Sequence, residues 1–161
     1  YMEIRKNHQD AIINSKKIIK QIHNEFKSKF GRGYGDGTIE CYKTNDAEKI
    51  LVAMGTIVGT SRAVVDELRE QGEKVGLMKV RLFRPFPCDE IVKVLEKAKN
   101  VIILDRNISL GNQGVLLDEI KSCMYGKNTN IKGYVVGLGG RDVTKQHIKK
   151  AFEMVDEKWL M

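Results

Sequence analysis

The sequence has 161 residues, which is the size of one domain or of one domain with an appendage. With 42% hydrophobic and 30% charged residues it can bury a core, and this composition excludes an intrinsically disordered chain. The longest apolar runs, at 50–55 and 101–104, are too short to cross a bilayer, and no signal-peptide pattern opens the chain. We therefore expect neither a membrane protein nor a secreted one. Because the first residue is Tyr1 rather than methionine, we expect a fragment or a processed form of a longer protein.

The three cysteines, Cys41, Cys88 and Cys123, are far apart in the sequence and form no CxxC motif. This spacing argues against a disulfide framework, and against a zinc site or iron–sulfur cluster held by the chain alone. We therefore predict three ordinary thiols, packed or half-exposed, in a reduced cytoplasmic compartment.

The net charge of +7 is concentrated at the N-terminus. Residues 1–32 contain eight Lys or Arg against three Asp or Glu, whereas the other 129 residues contain twenty against eighteen. The N-terminal charge lacks the interleaved aromatic residues that a single-strand nucleic-acid binder would need. A solvated helix face is the favoured interpretation, and no nucleic-acid partner is expected.

The N-terminal segment predicts a long amphipathic helix over 3–29. Four glycines within 31–37 then stop the helix and predict a turn or a linker. A phosphate-binding loop is the alternative for this segment, but the P-loop Lys-Ser/Thr and the GxGxxG register are both missing. We predict that 1–37 forms a helix and a Gly-rich connector packed on the sheet of an α/β domain at 38–161. The apolar stripe of the helix consists of Ile12, Ile19, Ile22, Phe26 and Phe30.

After residue 37, short apolar strands alternate with helices. This order is typical of a parallel sheet covered by helices on both faces. The sequence therefore predicts a three-layer α/β/α fold with a mostly parallel sheet of about five strands. Thr144 is predicted as the N-cap of the last helix, with Asp142 adding negative charge near its positive end. The predicted strands are 38–43, 50–54, 75–83, 101–104 and 131–136, and the predicted helices are 61–71, 89–99, 114–124 and 144–158.

Ligands and partners of open α/β sheets meet the loops that follow the carboxyl ends of the strands. Three of the predicted loops carry an arginine, and guanidinium groups suit phosphate and carboxylate oxygens. The alternative is that these arginines pair with neighbouring aspartates, or with another chain, and only hold the loops. The four predicted loops are 54–60, 84–87, 105–111 and 137–142, and their charged residues are Arg84, Asp105, Arg106, Arg141 and Asp142.

No recognisable catalytic constellation is present in the sequence. His8, His23 and His147 fall on predicted helices at polar or boundary positions, which favours solvated histidines. There is no GxSxG, HExxH or Walker motif. We therefore predict no catalytic, cofactor-binding or metal-binding residue in this chain.

The strand-end segments, taken in order, resemble a known family. Residues 53–72 resemble the opening unit of a transketolase C-terminal-like domain, and residues 74–87 resemble its second strand and exit. The segments V-I-I-L-D-R-N-I-S-L-G at 101–111 and Y-V-V-G-L-G-G-R-D-V-T at 134–144 are similar to the 2-oxoacid:ferredoxin oxidoreductases. Within that family, the resemblance is to the second domain of the α subunit of the pyruvate:ferredoxin oxidoreductases (pyruvate synthases), and it covers 31–148.

The resemblance implies a complex that oxidatively decarboxylates pyruvate with coenzyme A to acetyl-CoA, CO2 and reduced ferredoxin. Thiamine pyrophosphate, Mg and 4Fe-4S clusters would serve this chemistry in other domains or subunits. This segment would bind none of them by itself, would be inactive when isolated, and would serve folding, assembly and interdomain contacts. Its partners would be the preceding pyrimidine-binding domain of the same subunit, the other subunits, and ferredoxin as the electron acceptor of the complex. We expect six residues to face the neighbouring domains or the path of coenzyme A: Arg84, Asp105, Arg106, Asn107, Arg141 and Asp142.

Three alternatives stay open at this point. The first is the C-terminal-type domain of a thiamine-dependent 2-oxoacid dehydrogenase or a transketolase-like subunit, against which the segment at 105–109 counts. The second is a related oxidoreductase that acts on branched-chain 2-oxoacids. The third is a free-standing nucleotide-binding module, which the absence of GxGxxG disfavours.

Overall fold

The computed structural model describes all 161 residues, which form five α-helices and six strands. None of the helices has the length and apolarity that crossing a membrane requires. The strands are β1 (Ile39–Tyr42), β2 (Lys49–Ala53), β3 (Val75–Val80), β4 (Asn100–Asp105), β5 (Asn130–Val136) and β6 (Trp159–Leu160). The helices are α1 (Met2–Phe30), α2 (Ile57–Glu70), α3 (Cys88–Leu95), α4 (Val115–Cys123) and α5 (Lys145–Phe152), with one 3-10 turn at Leu138–Gly140.

The six strands form one sheet in the order β1-β3-β2-β4-β5-β6. All neighbouring pairs are parallel except β1 and β3. Side chains alternate between the two faces of the sheet, as pleating requires. On β2, Leu51 and Ala53 join the core beneath α2 and α5, whereas Ile50 and Val52 join the core beneath α3 and α4. The predicted three-layer α/β/α fold is therefore confirmed, with one strand more than expected.

The second half of the predicted closing helix is a turn that leads into the additional strand, so the prediction of a helix to residue 158 is wrong. Helix α5 ends at Phe152, and Met154 adopts a positive φ of 56°. The Tyr134 hydroxyl donates to the Val155 carbonyl at 2.9 Å, which holds the turn against β5. The chain then pairs with β5 as the short strand β6.

Two histidines also differ from the prediction of solvated side chains. Thr144 is the N-cap of α5, as predicted, because its Oγ1 accepts a hydrogen bond from the His147 backbone N–H at 3.3 Å. The His147 ring nitrogen Nδ1 lies 3.3 Å from the Thr144 N–H and completes a capping box. The His23 ring contacts the Gly35 carbonyl at 3.1 Å. The His23 contact depends on the turn that brings the segment after α1 back to the helix, whereas the His147 contact is local to the start of α5.

Helix α1 is held by charges, and the prediction that it packs on the sheet is wrong. None of its 29 residues is buried. The Lys16 and Lys20 ammonium groups lie 2.6 and 2.7 Å from the Glu90 carboxylate, and Lys20 also lies 3.0 Å from Asp36. The C-terminal half of the apolar stripe stays in contact with solvent, with Phe26 43% exposed and Phe30 62% exposed.

The cysteines also differ from the prediction of three separate thiols. Cys88, at the start of α3, and Cys123, at the end of α4, form a disulfide with Cα atoms 5.4 Å apart. Cys41 is a free, exposed thiol. Spacing in the sequence could not reveal this pair, because packing of α3 against α4 brings residues 35 positions apart together.

We predict that losing the ion pairs with Glu90 loosens α1. Burial by itself raises the pKa of Glu90 and of Asp36, but hydrogen bonds from Thr38 and the α1 lysines outweigh it and leave both pKa values below normal. A lowered carboxylate pKa stabilises the docked helix above the ordinary pKa, and this stabilisation is lost as the pH falls through the folded-state value. Glu90→Gln should therefore speed amide hydrogen exchange in α1 at pH 7, and acid should act in the same direction.

The matched control is Glu96→Gln, which breaks the ion pair with Lys127 and leaves α1 untouched. Equal exchange rates in α1 for the two variants at pH 7 would contradict an attachment by charges.

Candidate functional site

The loops after β2, β4 and β5 meet at one edge of the sheet. Strands β3 and β4 lie on opposite sides of β2, so the order in which strands are added to the sheet reverses between β2 and β4. We call this position the switch point of the sheet. Crevices at such a switch point, outside the carboxyl ends of the strands, are the usual ligand sites of open α/β sheets. The loop after β2 is shorter than predicted, because the buried Ile57 and Val58 already belong to α2.

The Arg106 side chain bridges the loops that follow β2 and β5 at this switch point. Its Nη1 donates to the Thr56 hydroxyl at 3.2 Å, and its Nη2 lies 3.5 Å from the Gly137 carbonyl. Thr56 is also the N-cap of the 14-residue helix α2, whose N-terminus carries positive partial charge. An exposed guanidinium beside a helix N-terminus is suited to binding an anion. Sequence reasoning missed Thr56, although its place directly after a buried strand and Gly55 was a usable signal.

The residues on either side of Arg106 turn towards α4. Asn107 Oδ1 accepts from the Val115 N–H at 3.1 Å. The two carboxylate oxygens of Asp105 accept from the Leu116 and Leu117 N–H groups, each at 3.0 Å. Three backbone donors that the first turn of α4 would otherwise leave unpaired are thus satisfied by side chains at the end of β4.

Asp105 is a structural group of the interior. It is only 3% exposed, and burial raises the pKa of its carboxyl although the hydrogen bonds from Leu116 and Leu117 act in the opposite direction. Gly114, the N-cap of α4, passes so close that a Cβ atom there would overlap the Asp105 side chain. The buried Asp105 side chain therefore leaves no room for a side chain at position 114.

The other three candidate residues lie apart from Arg106. Arg84 pairs with Glu119 of α4 at 2.5 Å and lies over the Phe83 ring. Arg141 is exposed beside a cavity of about 300 Å³ between the end of β5 and β6, and Asp142 is exposed without a side-chain hydrogen bond. The structure does not show the alternative in which each arginine pairs with its neighbouring aspartate. There is no ion pair between Asp105 and Arg106 or between Arg141 and Asp142.

A larger cavity of about 450 Å³ lies between α4 and β5, but two of its three lysines are already engaged. Lys121 donates to Gln113 at 3.0 Å, and Lys132 donates to the Met154 carbonyl at 2.8 Å. No group of three or more His, Cys, Asp or Glu side chains in the chain could hold a metal ion. The chain therefore offers no set of donors that fits an iron–sulfur cluster or a Mg site.

The fold and the switch-point geometry define a transketolase-like α/β domain. A split-gene transketolase, described as an inactive beta4 tetramer, matches with a TM-score of 0.55 and 15% identity over 76% of this chain and 43% of that chain. A family profile described as Pyruvate:ferredoxin oxidoreductase core domain II matches residues 47–148. The chain belongs to this family, as its segments at 101–111 and 134–144 suggested.

Two curated relatives show the range of the family around this chain. Pyruvate synthase subunit PorA of Methanocaldococcus jannaschii is 43% identical over 98% of this chain and 40% of that protein. Ketoisovalerate oxidoreductase subunit VorA of Pyrococcus abyssi is 41% identical over 95% of this chain and 39% of that protein. The chain therefore spans well under half the length of these relatives.

We predict that Gly114→Ala destabilises the chain by about 1–3 kcal/mol, because the new methyl group overlaps the Asp105 carboxylate and disturbs its bonds to α4. The free energy of unfolding in urea measures this. Gly59→Ala is the matched control, since no atom lies within 4 Å of a Cβ there and the helical position favours alanine by up to about 1 kcal/mol. Equal losses of unfolding free energy in both variants would show that the close approach of Gly114 to Asp105 does not stabilise the chain.

Proposed function

We propose that this chain is the second domain of the α subunit of a 2-oxoacid:ferredoxin oxidoreductase. The reaction of the complex is the oxidative decarboxylation of pyruvate with coenzyme A to acetyl-CoA, CO2 and reduced ferredoxin. The family match over residues 47–148 supports this proposal most strongly. Similarity to VorA makes a branched-chain 2-oxoacid the second candidate substrate. Thiamine pyrophosphate, Mg and 4Fe-4S clusters of other domains or subunits supply the carbanion and electron-transfer chemistry.

In this proposal the domain works in the reduced cytoplasm and contributes contacts rather than catalysis. Its switch-point edge meets the neighbouring domains and the path of coenzyme A. Arg106, beside the N-terminus of α2, suits a phosphate of that ligand. Asp105 and Asn107 hold Arg106 in place through α4, and Arg84, Arg141 and Asp142 lie at the rim of the interdomain contact.

The N-terminal part, residues 1–37, serves as the connector to the preceding pyrimidine-binding domain. Its apolar stripe supports this role, because Ile22, Phe26 and Phe30 are 58%, 43% and 62% exposed. The ion pairs with Glu90 attach α1 to α3, and these three apolar side chains remain free for another part of the subunit. Exposed apolar patches of this kind mark interaction sites and promote self-association of an isolated chain.

Affinity purification of the native subunit that contains this sequence tests the proposed function. We expect it to recover a brown complex that reduces a viologen dye when both pyruvate and coenzyme A are supplied. A panel of 2-oxoacids then separates the pyruvate and branched-chain candidates. A colourless complex without iron would contradict the proposal and favour a dehydrogenase or transketolase-like subunit.

The same assay tests the proposed coenzyme A contact. Arg106→Ala should raise the KM for coenzyme A about tenfold, which corresponds to one charge-assisted hydrogen bond, and leave the KM for the 2-oxoacid unchanged. The control is Lys97→Ala, which removes an exposed positive charge near the opposite edge of the sheet. An unchanged KM for coenzyme A in an intact Arg106→Ala complex would exclude the contact.

We predict that replacing Ile22 and Phe26 together by Ser weakens assembly of the native complex without lowering the stability of this domain. Both side chains are largely exposed here, so polar substitution costs no core packing. The yield of iron-containing complex after purification measures assembly. Lys17 and Gln21, exposed on the opposite side of α1, provide the matched double Ser control. Equal yields from the two variants would show that the stripe is not an interface.

A further inference from the structure

Helices α3 and α4 are joined at one corner of the fold by two links of different chemistry. The Arg84 guanidinium, in the loop before α3, pairs with Glu119 of α4 at 2.5 Å. Four residues further along each segment, Cys88 is bonded to Cys123. Their Cα separation of 5.4 Å lies within the range of unstrained disulfides, which is about 4.4–6.8 Å.

We propose that Cys88 and Cys123 form a reversible, redox-sensitive disulfide that locks α3 to α4 together with the loop that carries Arg84. This inference goes beyond the proposed function and does not rest on it. The cysteines are the only such pair in the chain, because Cys41 is exposed and unpaired.

Their position suits a bond that forms and breaks in the folded protein. Both cysteines are half-buried at the ends of their helices, outside the two hydrophobic cores. A small disulfide or thiol can therefore reach them without unfolding of the sheet. The neighbouring Arg84–Glu119 ion pair and the packing of α3 against α4 keep the two cysteines adjacent, which raises their effective concentration.

The step is thiol–disulfide exchange with a low-molecular-weight disulfide such as oxidised glutathione. One cysteine thiolate attacks the small disulfide, forms a mixed disulfide and releases one small thiol. The second cysteine thiolate then attacks the protein sulfur of the mixed disulfide and releases the second small thiol. In balance, two protein thiols are oxidised to one disulfide, and one small disulfide is reduced to two thiols. An excess of the small thiol reverses both steps.

Oxidation has a structural consequence for the switch-point edge. The bond closes the segment 88–123, which contains β4, Asp105 and Arg106. Closing a loop of this length restricts the unfolded chain and raises the melting temperature by roughly 5–15 °C. In a reduced compartment such a bond persists only while an oxidant is present, so the stability of this segment follows the thiol–disulfide balance.

The test equilibrates the 161-residue chain with oxidised and reduced glutathione in varying ratio. Intact mass, free-thiol count and melting temperature are read at each ratio. We expect a reversible loss of two hydrogens and of two free thiols, together with the rise in melting temperature. Cys88→Ser and Cys123→Ser should each abolish all three changes, whereas Cys41→Ser should leave them intact.

If a variant folds poorly, a comparison of the wild-type chain before and after oxidation still decides the test. Persistence of all three thiols in oxidised glutathione would overturn the proposal, as would a bond that requires Cys41. A Cys88–Cys123 bond that resists dithiothreitol in the folded chain would also overturn it, because the disulfide would then be a permanent staple.

Discussion

The carboxylate of Asp105 accepts hydrogen bonds from the N–H groups of Leu116 and Leu117, and the geometry at the carboxyl ends of the strands depends on these two bonds. They anchor the first turn of α4 directly against the end of β4. Because a buried carboxylate without partners would be very costly, the two donors must stay in place. The same closeness admits only glycine at position 114. With Asp105 and Asn107 both directed at α4, the residue between them is left to face outward. Arg106 thus reaches Thr56 and the switch point as a consequence of how its neighbours are used.

Charge and apolar surface have separate roles in α1. In the body of the domain, apolar side chains on both faces of the sheet are buried and make the fold stable. In α1 the charges make the attachment, through Lys16, Lys20 and Glu90, while the C-terminal half of the apolar stripe remains exposed. Exposed pairs of this type are individually weak, but three carboxylate contacts on two lysines form a small network.

Several side chains of types that often carry chemistry make structural contacts in this chain. The buried Asp105 carboxylate is engaged by α4, two of the three histidines cap or support turns, and two of the three cysteines pair with each other. The proposed redox link and the switch-point edge are connected along the chain, because β4 lies inside the segment that the disulfide closes.

The layers of the fold and the alternation of strands and helices along the chain were readable from the sequence, because apolar periodicity and glycine stops are local signals. The N-cap Thr144 was readable for the same reason. The contact between Arg106 and Thr56, the pairing of Cys88 with Cys123, and strand β6 were not. Each joins residues that are distant in sequence, and their approach follows only from the strand order and the helix packing. The exposure of the α1 face could not be predicted from the sequence either, because amphipathicity identifies an apolar stripe without identifying the surface that it contacts.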